Sequence, residues 1–249
     1  MAESGLQAVI LAAGLGSRLG AMTTSLPKAL IEVAGRPLID YALRFAQACG
    51  AVRRVVVTGF HAGELRARVA AVDPQASCAD NPDFRKGNLL SLRAGLPLAE
   101  PGRPLLVMNT DHIYRPAIAA LVAGVAVAAA EVTAFCDRDR TLGADDMKVA
   151  LDGRGRVARM SKQLDAWDVG YVGMTLIPAA RRAAHVAAAD AALAAQGEAI
   201  HVESVLVELA ARGTPPEIAD ISGHGWLEVD EPHERERAER TLAAERWWG

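Results

Sequence analysis

The sequence predicts an α/β protein built on a parallel, doubly wound sheet. Three observations carry that prediction. Residues 7–13 (QAVILAA) are a continuous apolar run with a β-branched centre, the composition of a strand buried on both faces. The run ends at once in Gly14-Leu15-Gly16, a turn whose backbone N–H groups can approach an anion. Strand-like and helix-like segments then alternate, the pattern of a sheet covered by helices on both sides.

The elements follow in order. Residues 27–33 (PKALIEV) and the turn Ala34-Gly35-Arg36-Pro37 lead into an amphipathic helix over 38–49, capped by Gly50. A second strand covers 52–58, a helix 63–71, and a further strand 104–109 closes on Asp111. Beyond it, 117–122 reads as helix and 125–136 contains a strand. Short strands are expected at 148–151, 156–160 and 170–177, with the turn Asp152-Gly153-Arg154-Gly155 between the first two. An alanine-rich surface helix covers 179–195, and a charged helix covers 231–248, ending in Trp247-Trp248-Gly249. No repeat or linker divides the chain, so residues 1–249 are expected to form a single domain.

Composition narrows the function. With 27 Lys and Arg against 30 Asp and Glu, the net charge is -3 over 249 residues. No basic run supplies the concentrated positive face that nucleic-acid backbones need, so no nucleic-acid partner is expected. The N-terminus has no positive region before its apolar run, and the stretch 117–130 is too short to span a bilayer. Cys49, Cys78 and Cys136 show no ligand spacing and read as buried, reduced residues of a cytoplasmic protein.

The glycine loop, Gly14 to Gly20, lacks the GxxxxGK[ST] pattern, and its third glycine falls one place late for GxGxxG. What remains is a glycine turn flanked by Arg18, a fixed fork for phosphate oxygens, and Lys28, a compact charge. Two cations beside such a turn suggest a triphosphate. Asp111 follows an apolar strand and so lies at the carboxyl edge of the sheet, where ligands bind in open α/β folds, although an acid there can equally cap the next helix. Glu228 and Asp230 are two apart in WLEVD, so that if the segment is a strand they share one face. Asp137-Arg138-Asp139 imitates a DxD motif but reads as a solvated loop.

The order LAAGLGSRLG and then LPKALIEVAGRPLI resembles the signature of nucleotidylyltransferases, which join a nucleoside triphosphate to a phosphorylated acceptor. The resemblance implies a Rossmann-like doubly wound mixed β-sheet of the nucleotide-diphospho-sugar transferase type. It implies that Leu11, Ala12, Ala13, Gly14, Gly16 and Ser17 wrap the nucleotide and that Arg18 and Lys28 contact its phosphates. It places a metal aspartate at Asp111, with Asp230 favoured over Glu228 as the second acidic ligand, and Mg²⁺ suits such oxygen donors. Asn109-Thr110-Asp111 departs from the commoner Gly-Asp pair but keeps the carboxylate.

The segment 81–92 (NPDFRKGNLLSL) resembles the cytidylyltransferase branch, which includes inositol-1-phosphate and phosphocholine enzymes. It brings Asn81, Asn88 and Ser91 forward as nucleotide contacts. With few aromatic residues in the chain, base recognition by backbone at 11–14 and by Asn88 and Ser91 is expected rather than stacking. Matches at Asp111-His112-Ile113-Tyr114, in the segment 152–162 and at 225–230 strengthen the inositol-phosphate version. That version implies Lys162 as the grip on the acceptor phosphate, with Tyr171, Gly173, His201 and Glu203 around the acceptor. His112 is not needed as a base, because the acceptor phosphate is already anionic.

The expected activity is therefore Mg²⁺-dependent transfer of CMP from CTP to a small phosphorylated alcohol. A sugar-1-phosphate nucleotidylyltransferase using UTP or GTP, a phosphocholine or phosphonate cytidylyltransferase, and a catalytically silent nucleotide sensor stand as alternatives. Many relatives carry a fused membrane-embedded alcohol phosphotransferase, so a separate membrane-bound CDP-alcohol phosphotransferase is an expected partner here. The Trp247-Trp248 pair is expected to pack at its helix end, with a homodimer anchor or a contact to the membrane-bound downstream enzyme as the other readings.

Overall fold

The computed structural model describes residues 5–248. Residues 1–4, on which much of the N-terminal reading rests, and Gly249 lie outside the described residues. The first predicted strand is β1 (Leu6–Leu11), followed by 3₁₀ turns at Ser17–Thr23 and Lys28–Leu30. A small ribbon, β2 (Glu32–Val33) and β3 (Arg36–Pro37), precedes α1 (Leu38–Ala48), β4 (Ala51–Thr58) and α2 (Ala62–Val72). Then come β5 (Ser77–Asp80), α3 (Asn88–Gly95), β6 (Leu105–Asn109), β7 (His112–Tyr114) and α4 (Pro116–Ala128). The chain continues through β8 (Thr133–Asp137), β9 (Lys148–Leu151), β10 (Val157–Ser161), β11 (Val169–Ile177) and α5 (Arg182–Gln196). It closes with α6 (Glu203–Ala211), β12 (Glu217–Asp220), β13 (Trp226–Glu228) and α7 (Pro232–Glu245).

The main sheet runs β10-β9-β11-β6-β1-β4-β5, with β8 also on β11 and β12 on β8. β1 pairs in parallel with both β4 and β6, while β11 runs antiparallel to β6. The sheet is thus mixed, as the resemblance implied, and the parallel half is the part visible from strand–helix alternation. Along β1, Ala8 and Ile10 pack into one buried cluster with α1, α2 and α4, whereas Val9 and Leu11 pack into another with α3, α5 and α6. Both faces are covered, which is why the strand is apolar throughout.

A third, smaller core joins Leu19, Ile31, Leu38, Ile113, Leu227, Val229 and Leu242. It locks the segment after the glycine loop, β7, β13 and α7 into one unit at the carboxyl edge of the sheet. Trp248 completes this region from within its own chain: its Nε1 donates to the Tyr114 carbonyl (2.9 Å), and its ring meets Phe45 edge-on. The Trp pair therefore packs near the helix end.

Some boundaries differ from expectation. α4 continues to Ala128 and β8 begins only at Thr133, because an Ala/Val run suits helix and strand alike. The 179–195 helix starts later, at Arg182, and buries Ala188, Ala189 and Ala192 on its sheet-facing side. Cys49 and Cys136 are buried as expected, but Cys78 is half-buried. Asp137 is not solvated: it is buried at the end of β8 and accepts from Trp226 Nε1 (2.6 Å). Among the described residues no helix is long and apolar enough to cross a membrane.

A buried ion pair away from the sheet edge gives a stability prediction. Arg54 Nε donates to Asp73 Oδ2 (2.5 Å) and Nη2 to Oδ1 (3.0 Å). The guanidinium hydrogen bonds outweigh burial and hold the Asp73 carboxyl below its ordinary value of 3.8. Because the folded-state value is depressed, the pair's contribution is present above 3.8 and fades as the pH falls through the lower value. Asp73→Asn is expected to cost roughly 3 kcal/mol in urea denaturation at neutral pH, and progressively less in acid. A cost that stays constant as the pH falls contradicts this account.

Candidate active site

The carboxyl edge of β1 opens into the glycine loop. Ala12 N–H donates to the Val57 carbonyl (3.1 Å) and the Ala13 carbonyl accepts from Phe60 (3.2 Å), so the chain leaves the sheet in a fixed direction. Gly16 has φ 68, and a Cβ there would lie 2.6 Å from the Lys28 Cβ. Glycine lets the loop rest against the lysine stem. Thr23 Oγ1 closes the loop on the Gly16 carbonyl (2.9 Å). Lys28 stands on a short turn whose next residues, Ala29 and Leu30, are buried anchors.

The two distant carboxylates meet through a pair of three-residue strands. β7 and β13 pair antiparallel with His112 opposite Glu228. Val229 N–H then donates to the Asp111 carbonyl (2.9 Å), which sets Asp230 beside Asp111. The start of α7 fixes the far side, because the Glu234 carboxylate accepts from the Asp230 N–H (2.8 Å) and caps the helix with Glu231.

Lys28 Nζ lies between the two carboxylates. It donates to Asp111 Oδ2 (2.7 Å) and to Asp230 Oδ1. Arg18 reaches Asp230 Oδ2 (2.5 Å) from the loop. Burial alone would lower the Lys28 pKa, but Asp111 and Asp230 outweigh it and hold the ammonium above its usual value. Burial would likewise raise Asp111, yet the charges of Lys28 and His112 hold its carboxyl well below the usual range. His112 Nδ1 is 2.6 Å from Asp111 Oδ1, and its ring stacks on Trp226, so it orients the carboxylate. Gly173, with φ 71, makes room for that ring: a Cβ would come within 2.8 Å of it.

Two cavities meet at this cluster. The first, of about 360 Å³, is lined by the loop from Leu11 to Arg18, by Lys28, Asn88, Ser91 and Asp111, and by Phe84, Arg85 and Lys86. The second, of about 170 Å³, is lined by Lys162, Tyr171, Gly173, His201, Glu203 and Glu228. Arg18, Asn88, Asp111, His201 and Asp230 border both. Every residue read from the sequence as nucleotide contact lies on the first wall except Asn81. That side chain is buried behind it and donates to Ser91 Oγ (2.9 Å), so it positions Ser91. Asn88 Oδ1 accepts from Val202 N–H (2.8 Å) and ties α3 to the start of α6.

Glu228 does not join the pair around Lys28. Arg140 engages it at 3.2 Å, together with Asp146 and Glu234, and burial pushes its carboxyl up. Lys162 makes no ion pair among the described residues, and its carbonyl is held by the buried Lys148 (2.8 Å). Phe84, Arg140 and Asp146 escaped sequence reading. Phe84 lies within the segment 81–92, where its aromatic character was the available signal, and it gives the first cavity a ring that the expected base recognition omitted.

Asp111 and Asp230 offer hard oxygen donors within reach of one cation, the set that Mg²⁺ takes together with substrate phosphates. No group of three or more His, Cys, Asp or Glu suited to a metal occurs among the described residues. The fit rests on the two carboxylates, which leave the other positions around such an ion to phosphate oxygens.

The family model described as "MobA-like NTP transferase domain" matches residues 8–224. Asp230 lies beyond the matched stretch. The bifunctional protein GlmU of Burkholderia mallei and that of Burkholderia thailandensis are each 36% identical over 159 residues, which is 64% of this chain and 33% of theirs. The chain thus spans about a third of the length of the curated relatives it matches. Among solved structures, the inositol-1-phosphate CTP transferase from T. maritima superposes with TM-score 0.77 at 19% identity, covering 96% of this chain and 97% of that one. The CTP:phosphocholine cytidylyltransferase from Streptococcus pneumoniae gives 0.73 at 20%, covering 96% and 99%. A putative glucose-1-phosphate thymidylyltransferase from Bacillus anthracis gives 0.80 at 18%, covering 98% of each. At these identities the likeness shows the fold.

Proposed function

The chain belongs to the family of MobA-like NTP transferase domains, and from that premise we propose that it transfers CMP from CTP to a small phosphorylated alcohol, releasing pyrophosphate. The observation that carries the reading is the junction of two cavities at Asp111 and Asp230, which Lys28 bridges; one is walled by the glycine loop and the other is lined by Lys162, which makes no ion pair among the described residues. A nucleotide and a phosphorylated acceptor in adjoining cavities would meet there. The 81–92 segment supports CTP, and Asn88 and Ser91 stand on the nucleotide wall.

An acceptor phosphate oxygen held by Lys162 attacks the α-phosphorus as pyrophosphate departs in line. No general base is required. Arg18 and Lys28 neutralise triphosphate charge, and His112 keeps Asp111 oriented. Bound Mg²⁺, held by Asp111 and Asp230, would neutralise charge on the phosphates. In this scheme Lys28 exchanges its carboxylate partners for phosphate oxygens, which leaves both carboxylates to the metal. Catalysis is positioning and electrostatics, without a covalent enzyme intermediate.

A sugar-1-phosphate reading is favoured by one observation, the shared fold with a putative glucose-1-phosphate thymidylyltransferase. A panel of CTP, UTP, GTP and dTTP against inositol-1-phosphate, phosphocholine, a phosphonate and glucose-1-phosphate separates the two, read by pyrophosphate release with Mg²⁺. The expected result is turnover with CTP and a phosphorylated alcohol. Preference for UTP, GTP or dTTP with the hexose phosphate overturns it, and nucleotide binding without pyrophosphate release across the panel marks a sensor instead.

A further inference from the structure

Arg182 is a buried cation without a counter-charge. It opens α5, is 8% exposed, and makes no ion pair among the described residues. Its Nη1 donates to the Arg103 carbonyl at 3.5 Å, a weak bond by its length. Its Nε and Nη2 have no acceptor among the described residues, and both keep contact with the surface. Burial alone lowers the guanidinium pKa, and no carboxylate acts against it. The first turn of α5 holds no acid. His185 supplies no negative charge either, since burial and the Arg182 charge push its pKa down to about 4 and leave the ring neutral at neutral pH. A desolvated cation with open donors is costly until an anion completes it.

The guanidinium lies on the wall of a groove of about 700 Å³ that shares no residue with the two cavities at the carboxyl edge of the sheet. Leu96, Pro97 and Pro101, beyond the end of α3, form one side, and Ala183 and Val186 on α5 form the other. Val186 is 37% exposed and so presents an apolar surface to an incoming molecule. The other cation of the groove, Arg93, is already matched by Asp190 at 3.3 Å. We propose that this groove binds a small amphipathic carboxylate, with its charged end on Arg182 and its aliphatic body between α5 and the 96–101 segment. The volume suits a small molecule. One guanidinium fork matches one carboxylate, whereas a phosphate dianion would leave a charge that Arg93, held by Asp190, does not meet. The apolar sides reject a sugar or a nucleotide and gain from a hydrocarbon chain.

The test is calorimetry of the whole chain with octanoate, beside acetate, which carries the charge alone, and 1-octanol, which carries the chain alone. Octanoate is expected to bind saturably and at least about tenfold more tightly than either. Arg182→Leu is expected to weaken octanoate on the order of 10–10²-fold while 1-octanol is unaffected. Because Arg182 is packed, a second variant guards against misfolding. Val186→Asp lies at an exposed position one turn along α5, where its carboxylate can take the guanidinium for itself. It is expected to abolish octanoate binding and to leave the melting temperature no lower than that of wild type. Saturating CTP is expected to leave octanoate bound, since the groove stands apart from the nucleotide wall. Octanoate that binds no better than 1-octanol, that binds both variants as it does wild type, or that CTP displaces overturns the proposal. Self-association of wild type that Val186→Asp abolishes, with no octanoate binding, assigns the groove to a second copy of the chain and overturns it as well.

Discussion

Lys28→Met is expected to lower kcat on the order of 10²–10³-fold and to destabilise the ligand-free protein at the same time. Both effects come from one position. Nζ is the charge between Asp111 and Asp230, whose side chains are 23% and 14% exposed. Without it, two carboxylates face each other in a poorly hydrated pocket, with Arg18 reaching Asp230 and His112 reaching Asp111. The cost is about 3 kcal/mol, the lower end for breaking a buried pair because the group is partly hydrated. The variant carries a further signature. Methionine no longer competes for the carboxylates, so Mg²⁺ alone is expected to raise its melting temperature more than it raises that of wild type. Equal shifts in the two proteins, or a kcat within tenfold of wild type, contradict the assigned role.

Asp111→Asn is the complementary experiment. Its Oδ2 accepts from Lys28 and its Oδ1 faces His112, so the amide keeps the shape but loses the charge. A loss of about 10²–10³ in kcat is expected, with much less destabilisation than in Lys28→Met, because Lys28 retains Asp230. The loss should ease as Mg²⁺ is raised, since one carboxylate ligand remains. Measuring kcat across a Mg²⁺ titration, together with thermal melts, checks both parts. Full activity at ordinary Mg²⁺ would falsify the placement of the metal at Asp111.

These two variants also mark where the sequence stops being readable. β1 and its loop are legible because a strand buried on both faces must be apolar throughout, and because glycines follow it where the backbone turns. β7 and β13 are not, since three-residue strands hold no measurable periodicity. Yet that ribbon is what brings Asp230 to Asp111. The contacts of Lys28 with Asp111 and Asp230 span 83 and 202 positions of sequence, beyond any local pattern. Asn88 was visible as a motif residue, but its bond to Val202 N–H, which joins the nucleotide wall to the helix carrying Glu203, depends on tertiary packing alone. Glu228 and Asp230 look equivalent by spacing. Arg140, itself unremarked in the sequence, separates them by engaging the first.

The most direct test of the central claim is a ³¹P NMR time course of the protein with CTP, Mg²⁺ and inositol-1-phosphate. The account predicts that the CTP resonances fall as those of a pyrophosphate-linked CDP-alcohol and of free pyrophosphate rise in equal amounts. CTP that stays intact while UTP and glucose-1-phosphate are converted under the same conditions contradicts it.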